Sequence, residues 1–497
     1  MNDRRAFFGT IAMSTVSVAK LGLQLLVLPL MARVLGPEAF GIIGLAWPFI
    51  VFASVLTDAG LGTPLVREKN ASRELEATVF WISTAIGTIS AVLLCILAWP
   101  LAAAFSRPDL APVLAALSPI LMIGGSMTVP TARITRSRNF TIFAIGDILS
   151  VGVSAIAGLL AAYLGYGVWS LVIQQLVLWI TKAAWLFSKS NFSLAFCCKP
   201  FLANRLLGFG THCAAANFAD LAGKYLPPLI VGGWLGVTTL GHYAMASQLM
   251  RVPEMVISGP IYLAIFTAVA QAPNRQAARA MVFSSFRILL TVLALTFCGL
   301  GLTADLVTDL LLGAGWSDTA PMLAALAPAG FFVCLYSFLG AVLLGSGNSS
   351  QQFKLTLFCS LAMVIGALSG AQFGPLGVAL GVSLGAAALA PFYLRSLAHE
   401  LGASVASFVL TSVAPLTAAC VMVLTVAGIR MEIAELPMAV QLAISVAAGV
   451  LSFVPVVILL GGRKFLEDLR RIRPQAAELE SELQPSLQAA QTLEVSR

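Results

Sequence analysis

The sequence predicts an all-α, polytopic membrane protein. About fourteen apolar stretches are each long enough, at about 1.5 Å per residue, to cross a hydrocarbon core of about 30 Å, which leaves little chain for anything else. Composition points the same way: 59% of the 497 residues are apolar and 10% charged, with a mean hydropathy of +0.93, whereas a soluble domain carries about a quarter charged residues. The Lys and Arg residues also gather in every second connection, the asymmetry that orients membrane helices.

In chain order the expected spans are 11–32, 40–66, 78–104, 113–131, 142–164, 168–187, 206–233, 240–270, 285–304, 320–344, 355–373, 377–396, 405–427 and 438–460. With the N-terminus in the cytoplasm, Arg4, Arg5, Arg67, Lys69, Arg73, Arg133, Arg136, Arg138, Lys189, Lys199, Arg205, Arg275, Arg279, Lys354, Arg395 and the basic tail from Arg463 all lie on that side. Only Arg33, Arg107 and Arg430 lie opposite. The expectation is a multi-pass membrane protein with both termini cytoplasmic. The net charge of +7 then reads as orientation, and no nucleic-acid partner is expected. The first apolar run is too long for a signal h-region, contains Lys20 and lacks a small-residue cleavage site, so it is kept as span one. Eight cysteines, Cys197 and Cys198 adjacent among them, and three histidines, His212, His242 and His399, show no metal-ligand spacing. No metal or cofactor is expected.

Leu35-Gly36, Gly41 and Ala46 recur 200 residues later as Leu235-Gly236, Gly241 and Ala246. A second echo links Arg138-Asn139 to Gly347-Asn348 and Gly167-Val168 to Gly377-Val378. These predict two six-helix lobes, entering the membrane in the same sense and related by a pseudo-twofold axis along its normal, the plan of carriers that hold substrate between halves. The expected domains are a first lobe over 1–188, a cytoplasmic linker over 189–205, a second lobe over 206–397, two extra spans within 398–462, and a cytoplasmic tail over 463–497.

The stretches Ala32-Arg33-Val34-Leu35-Gly36-Pro37-Glu38-Ala39-Phe40-Gly41, Thr57-Asp58-Ala59-Gly60-Leu61-Gly62-Thr63-Pro64-Leu65-Val66-Arg67 and Leu164-Gly165-Tyr166-Gly167-Val168-Trp169-Ser170-Leu171-Val172 resemble the polysaccharide transporter (Wzx-type oligosaccharide flippase) family of the multidrug/oligosaccharidyl-lipid/polysaccharide exporter superfamily. The resemblance covers essentially residues 1–460. It implies a V-shaped two-lobed bundle whose substrate is an undecaprenyl-diphosphate-linked sugar repeat unit, passed from the cytoplasmic to the periplasmic leaflet. These motifs describe turns and helix packing and do not identify the sugar.

Charges inside spans are the candidate site. Lys20, Lys224 and Arg251 each sit where a charge costs about 2.5–3.5 kcal/mol on insertion scales, so each calls for a cavity or a partner. Each has a polar companion on its own helix face: Gln24 one turn after Lys20, Asn217 and Asp220 before Lys224, and Gln248 before Arg251. A diphosphate, with about two negative charges and many acceptor oxygens, suits such a set. The alternative is intrahelical neutralisation, Asp220 with Lys224 and Arg251 with Glu254. Asp58, Asp220 and Glu254 are also candidate coupling sites for H⁺ or Na⁺. Asp147 is expected to pair with the Arg136 and Arg138 loop. Gly223, Pro227 and Pro228 mark span seven as a hinge, or as a static kink. The four-residue glycine spacing of Gly366, Gly370 and Gly374, and of Gly377, Gly381 and Gly385, predicts close helix packing.

The residues therefore describe a carrier with no covalent chemistry, and the resemblance makes it a flippase for polysaccharide synthesis. Its expected partners are the lipid-linked oligosaccharide, membrane lipids, a counter-ion, a polysaccharide polymerase and a chain-length regulator. Two alternatives stand. A drug/cation antiporter of the same superfamily would favour carboxylates in its cavity. A membrane polysaccharide polymerase would need catalytic residues in an extended external loop, and no P-loop or Gly-rich dinucleotide motif occurs either.

Overall fold

The computed structural model describes the backbone of residues 2–58, 62–67, 72–137, 140–192, 195, 218 and 221–461, with side chains from residue 22 on except at Leu25, Leu56, Asp58, Thr63, Pro64, Arg67, Phe140 and Pro260. Every regular element among them is helical: α1 (Asn2–Asp58), α2 (Gly62–Arg67), α3 (Arg73–Ala104), α4 (Leu110–Leu117), α5 (Pro119–Arg136), α6 (Phe140–Tyr163), α7 (Val168–Lys189), α8 (221–234), α9 (Val237–Ala270), α10 (Arg275–Leu302), α11 (Ala304–Leu312), a 3-10 turn Ala314–Trp316, α12 (Thr319–Gly345), α13 (Ser349–Gly370), α14 (Gly374–Ala388), α15 (Ala390–Leu401), α16 (Val405–Glu432) and α17 (Met438–Gly461). Side-chain caps start several of them. Ser72 accepts from the Leu75 N–H at α3, and Asn274 from the Ala277 N–H at α10.

Eleven of the helical stretches are long and apolar enough to cross a membrane. Gly22–Val55 covers parts of two expected spans, and Ser349–Leu401 contains two. The first breaks at Gly36, whose φ of 71° and ψ of 176° suit glycine alone and whose follower, Pro37, lacks an N–H. The second turns at Ala371–Phe373, with Gly374 at φ 80°. Residues 206–220, the first part of expected span seven, lie largely outside the described residues.

The helices gather into two compact units. One comprises the described residues up to 252 with 307–326 and 353–389; the other comprises 253–306, 327–352 and the described residues from 390 on. In the first unit α1 packs along α6 and α7, burying Val27, Met31, Ala155, Ala162 and Leu171 together. In the second, α10, α16 and α17 share a core of Ala294, Met422 and Phe453. The C-terminal pair of helices is therefore packed onto its unit by large buried side chains.

The 200-residue repeat is visible as a contact inside the first unit. A methyl placed on Gly41 would lie 1.9 Å from the Val237 carbonyl oxygen, and one on Gly241 would lie 1.9 Å from that of Pro37. Residues 41 and 241 thus touch each other's neighbours at 237 and 37, a reciprocal contact of the kind a twofold produces. Gly44 meets Ala244 between them, and Gly36 and Gly236 are both left-handed, at φ 71° and 92°. The second echo is not shared in conformation at one of its two places, where Gly167 is a left-handed turn residue and Gly377 lies within α14 against the Gly370 backbone; its other place, Arg138-Asn139, lies outside the described residues. The glycine spacing of α13 and α14 does give backbone contact, with Gly366 against Gly381 and Gly370 against Gly377.

Candidate functional site

Two of the three expected intramembrane cations come together in the first unit. Helices α8 and α9 form a hairpin about the turn at Leu235-Gly236, so Lys224, twelve residues before Gly236, and Arg251, fifteen after, reach similar heights, about 20 Å from the turn. Arg251 Nη2 donates to the Lys224 carbonyl oxygen at 3.3 Å, and its guanidinium carbon lies 5.5 Å from the centre of the Tyr225 ring. Both basic side chains are half-buried.

The double proline explains the geometry. In a helix the carbonyl of residue 224 accepts from the N–H of residue 228, and Pro228 has none. Arg251 supplies the missing donor. Because a guanidinium has five N–H donors in a fixed fork, one bond to a carbonyl leaves capacity for an anion while fixing the side chain's direction. Pro227 and Pro228 are buried within α8, and Gly223 lies against Ser360 of α13, so close that a methyl would come within 2.6 Å of its Oγ.

The remaining candidates are more scattered. Gln248 is exposed on α9, near Arg251, and Gln24 is half-buried on α1. Glu254 is half-buried on α9. Lys20 and Asp58 lie on α1 with side chains outside the described residues, and Asn217 and Asp220 lie wholly outside them.

Arg138 lies outside the described residues, and among the described partners Asp147 departs from expectation. Its carboxylate pairs with Lys182 Nζ of α7 at 2.8 Å, a cation the sequence reading passed over. Arg136 instead bonds Glu76 at 3.3 Å and the Leu65 carbonyl at 3.1 Å, while Arg133 shares Glu76 at 3.6 Å and bonds the Asn191 carbonyl. The signal for Lys182 was present as a lone cation in an apolar helix. The three arginines expected opposite the cytoplasm are all engaged as staples. Arg33 bonds the Leu310 and Leu311 carbonyls at the end of α11, Arg107 pairs with Glu38 at 3.3 Å, and Arg430 pairs with Asp305 and bonds the Leu302 carbonyl. Beside Arg33, the Trp316 indole donates to the Ala32 carbonyl at 3.2 Å and stacks edge-on against Phe40 and His242. His242 Nδ1 lies 2.9 Å from Thr319 Oγ1. Among the described residues no group of His, Cys, Asp and Glu could hold a metal ion.

Residues 30–321 match the family described as "Polysaccharide biosynthesis protein", more than half of the chain. The chain belongs to that family. Among similar proteins, the "Succinoglycan biosynthesis transport protein ExoT" of Rhizobium meliloti (strain 1021) is 27% identical over 360 residues, covering 71% of this chain and 72% of its own. The "Lipopolysaccharide biosynthesis protein WzxC" of Escherichia coli (strain K12) is 23% identical over 386 residues, covering 75% and 76%. In structure the family member resembles the "Lipid II flippase MurJ, inward closed conformation", with a TM-score of 0.74 at 16% identity over 90% of this chain and 98% of that one. It also resembles an inward-facing MATE-family multidrug resistance transporter, with a TM-score of 0.61 at 16% identity over 77% and 94%. These likenesses establish a polytopic, all-helical transporter fold.

Proposed function

We propose that this family member is a flippase that carries undecaprenyl-diphosphate-linked oligosaccharide repeat units from the cytoplasmic to the periplasmic leaflet of the inner membrane, for surface or exopolysaccharide synthesis. The observation that carries the reading is Arg251 held beside Lys224 by a proline-freed carbonyl, a paired cationic feature in the part of the chain that matches the family. Its relatives are named for succinoglycan transport and lipopolysaccharide biosynthesis. Lys20, Gln24, Asn217 and Gln248 complete the proposed seat, and Asp58, Asp220 and Glu254 are the proposed coupling groups for H⁺ or Na⁺. Gly223, Pro227 and Pro228 form the proposed hinge within the first helix of the lobe 206–397, and the other proposed lobe is 1–188. A polymerase and a chain-length regulator are the proposed partners.

Physically, a sugar chain turned through hydrocarbon forfeits several kcal/mol for each unsatisfied polar group, and a hydrated passage between lobes removes most of that barrier while the polyprenyl tail stays in lipid. An anion leaving a negative interior gains about 2.3 kcal/mol per charge per 100 mV. A strain lacking this protein should accumulate lipid-linked repeat units on the inner leaflet, and wild-type protein should restore export. Lys224→Ala and Arg251→Ala should express yet fail to restore it. Full export from both variants, or resistance to cationic drugs as the only phenotype, overturns the proposal.

A further inference from the structure

Asp147 and Lys182 form an ion pair inside two expected spans. Asp147 lies seven residues into α6, and Lys182 seven residues before the end of α7, so both sit about 10 Å along their helices from the end that carries Lys189. On α6 the exposed apolar stripe runs through Ile145, Ile148, Leu149, Val153, Ile156 and Leu160 and centres near Ile156. At about 100° per residue, Asp147 is on the opposite side. On α7 the exposed stripe runs through Trp169 and Ile180, and Lys182 again lies opposite. Yet the two side chains remain 28% and 30% exposed. An inward-facing pair that keeps such exposure borders open space on the inner side of the α6–α7 hairpin. Gln175 and Lys189 stand seven residues either side of Lys182 on α7, so the same face carries polar groups toward the helix end.

The Glu76 carboxylate, held between Arg133 and Arg136, is by contrast 10% exposed, against 28% for Asp147. We propose that Lys182 is a second anion station for the substrate's diphosphate, with Asp147 as the internal ligand that the phosphate oxygens displace. This rests on the lipid-diphosphate reading above and adds a contact from the first six expected spans to the Lys224–Arg251 pair. Exchange of one acceptor for another keeps the ammonium partnered throughout, so the cation is never left bare at membrane depth. A carboxylate competitor also keeps binding weak enough for release.

The test is calorimetric titration of the purified full chain in phosphatidylcholine nanodiscs with farnesyl diphosphate. Wild type should bind, Lys182→Gln should weaken binding about tenfold, and Lys182→Arg should stay within about threefold. Asp147→Asn, lacking the competitor, should bind at least about threefold tighter. Inorganic pyrophosphate separates the sources of the anion: the same ordering with both probes supports a diphosphate station, and the ordering with farnesyl diphosphate alone supports one that also needs the lipid. Wild-type affinity in Lys182→Gln overturns the station. If that variant does not fold, Asp147→Asn decides, and unchanged or weaker affinity there overturns it. Absence of any diphosphate binding by wild type removes the flippase reading as well, whereas binding that is lost in Arg251→Gln but kept in Lys182→Gln removes this inference alone.

Discussion

At the scale of single residues, Arg251 answers a gap that Pro228 opens. The guanidinium bonds the Lys224 carbonyl that a proline four residues on leaves without its helical donor. An unmet carbonyl away from water costs about 1–3 kcal/mol, so Arg251→Gln should lower unfolding stability by about that amount in detergent melts. In a Pro228→Ala background the backbone bond returns, and the same change should cost under about 0.5 kcal/mol. Export should fail in both backgrounds if the arginine also serves the substrate. Equal stability losses in the two backgrounds would sink the backbone-donor role. The candidacy of Lys224 and Arg251 was legible in the sequence because a charge within an apolar run stands out by composition alone. Their mutual contact was not, since it depends on how a hairpin closes over 27 residues. Asp147 shows the converse. Nearness along the chain favoured the Arg136 and Arg138 loop; Arg138 lies outside the described residues, while Glu76 engages Arg136 and the fold brings Lys182 to Asp147.

At the scale of elements, α1 and α9 cross where their backbones touch. Gly41 and Gly241 each abut a carbonyl oxygen of the other helix, and neither oxygen can rotate away as a side chain would. Gly41→Leu and Gly241→Leu should each lose folded protein, at a cost of about 3 kcal/mol or more, read by size-exclusion recovery. Gly44→Ala, whose new methyl would lie 3.4 Å from Ala244 Cβ, and Gly152→Ala, with nothing within 4 Å, should be recovered like wild type. Normal recovery of both leucine variants would mean that the crossing is looser than described. The repeated Leu-Gly, Gly and Ala positions announced this symmetry in the sequence. The failed echo at Gly167 and Gly377 marks the limit of such matching, because glycine serves both left-handed turns and close helix packing and its letter does not say which.

Across the whole molecule, the charge asymmetry sets a testable orientation. Alkaline phosphatase fused after Arg107 should be active and fused after Ser404 inactive, and the reverse pattern would refute cytoplasmic termini. The arginines Arg33, Arg107 and Arg430, the exceptions to that asymmetry, each bond a carbonyl or carboxylate; they act as local staples, so their presence does not contradict the orientation. What the sequence alone determined is the membrane class, the approximate spans, the 200-residue repeat and the residue types available for an anion. All of these follow from local hydropathy, composition and periodicity, which need no knowledge of contacts. Only the tertiary structure decided which cation meets which partner, that α16 and α17 pack against α10 around Phe453, and that Lys182 pairs with Asp147. Those outcomes depend on side-chain direction and on the meeting of helices far apart in the chain, and no local pattern encodes either.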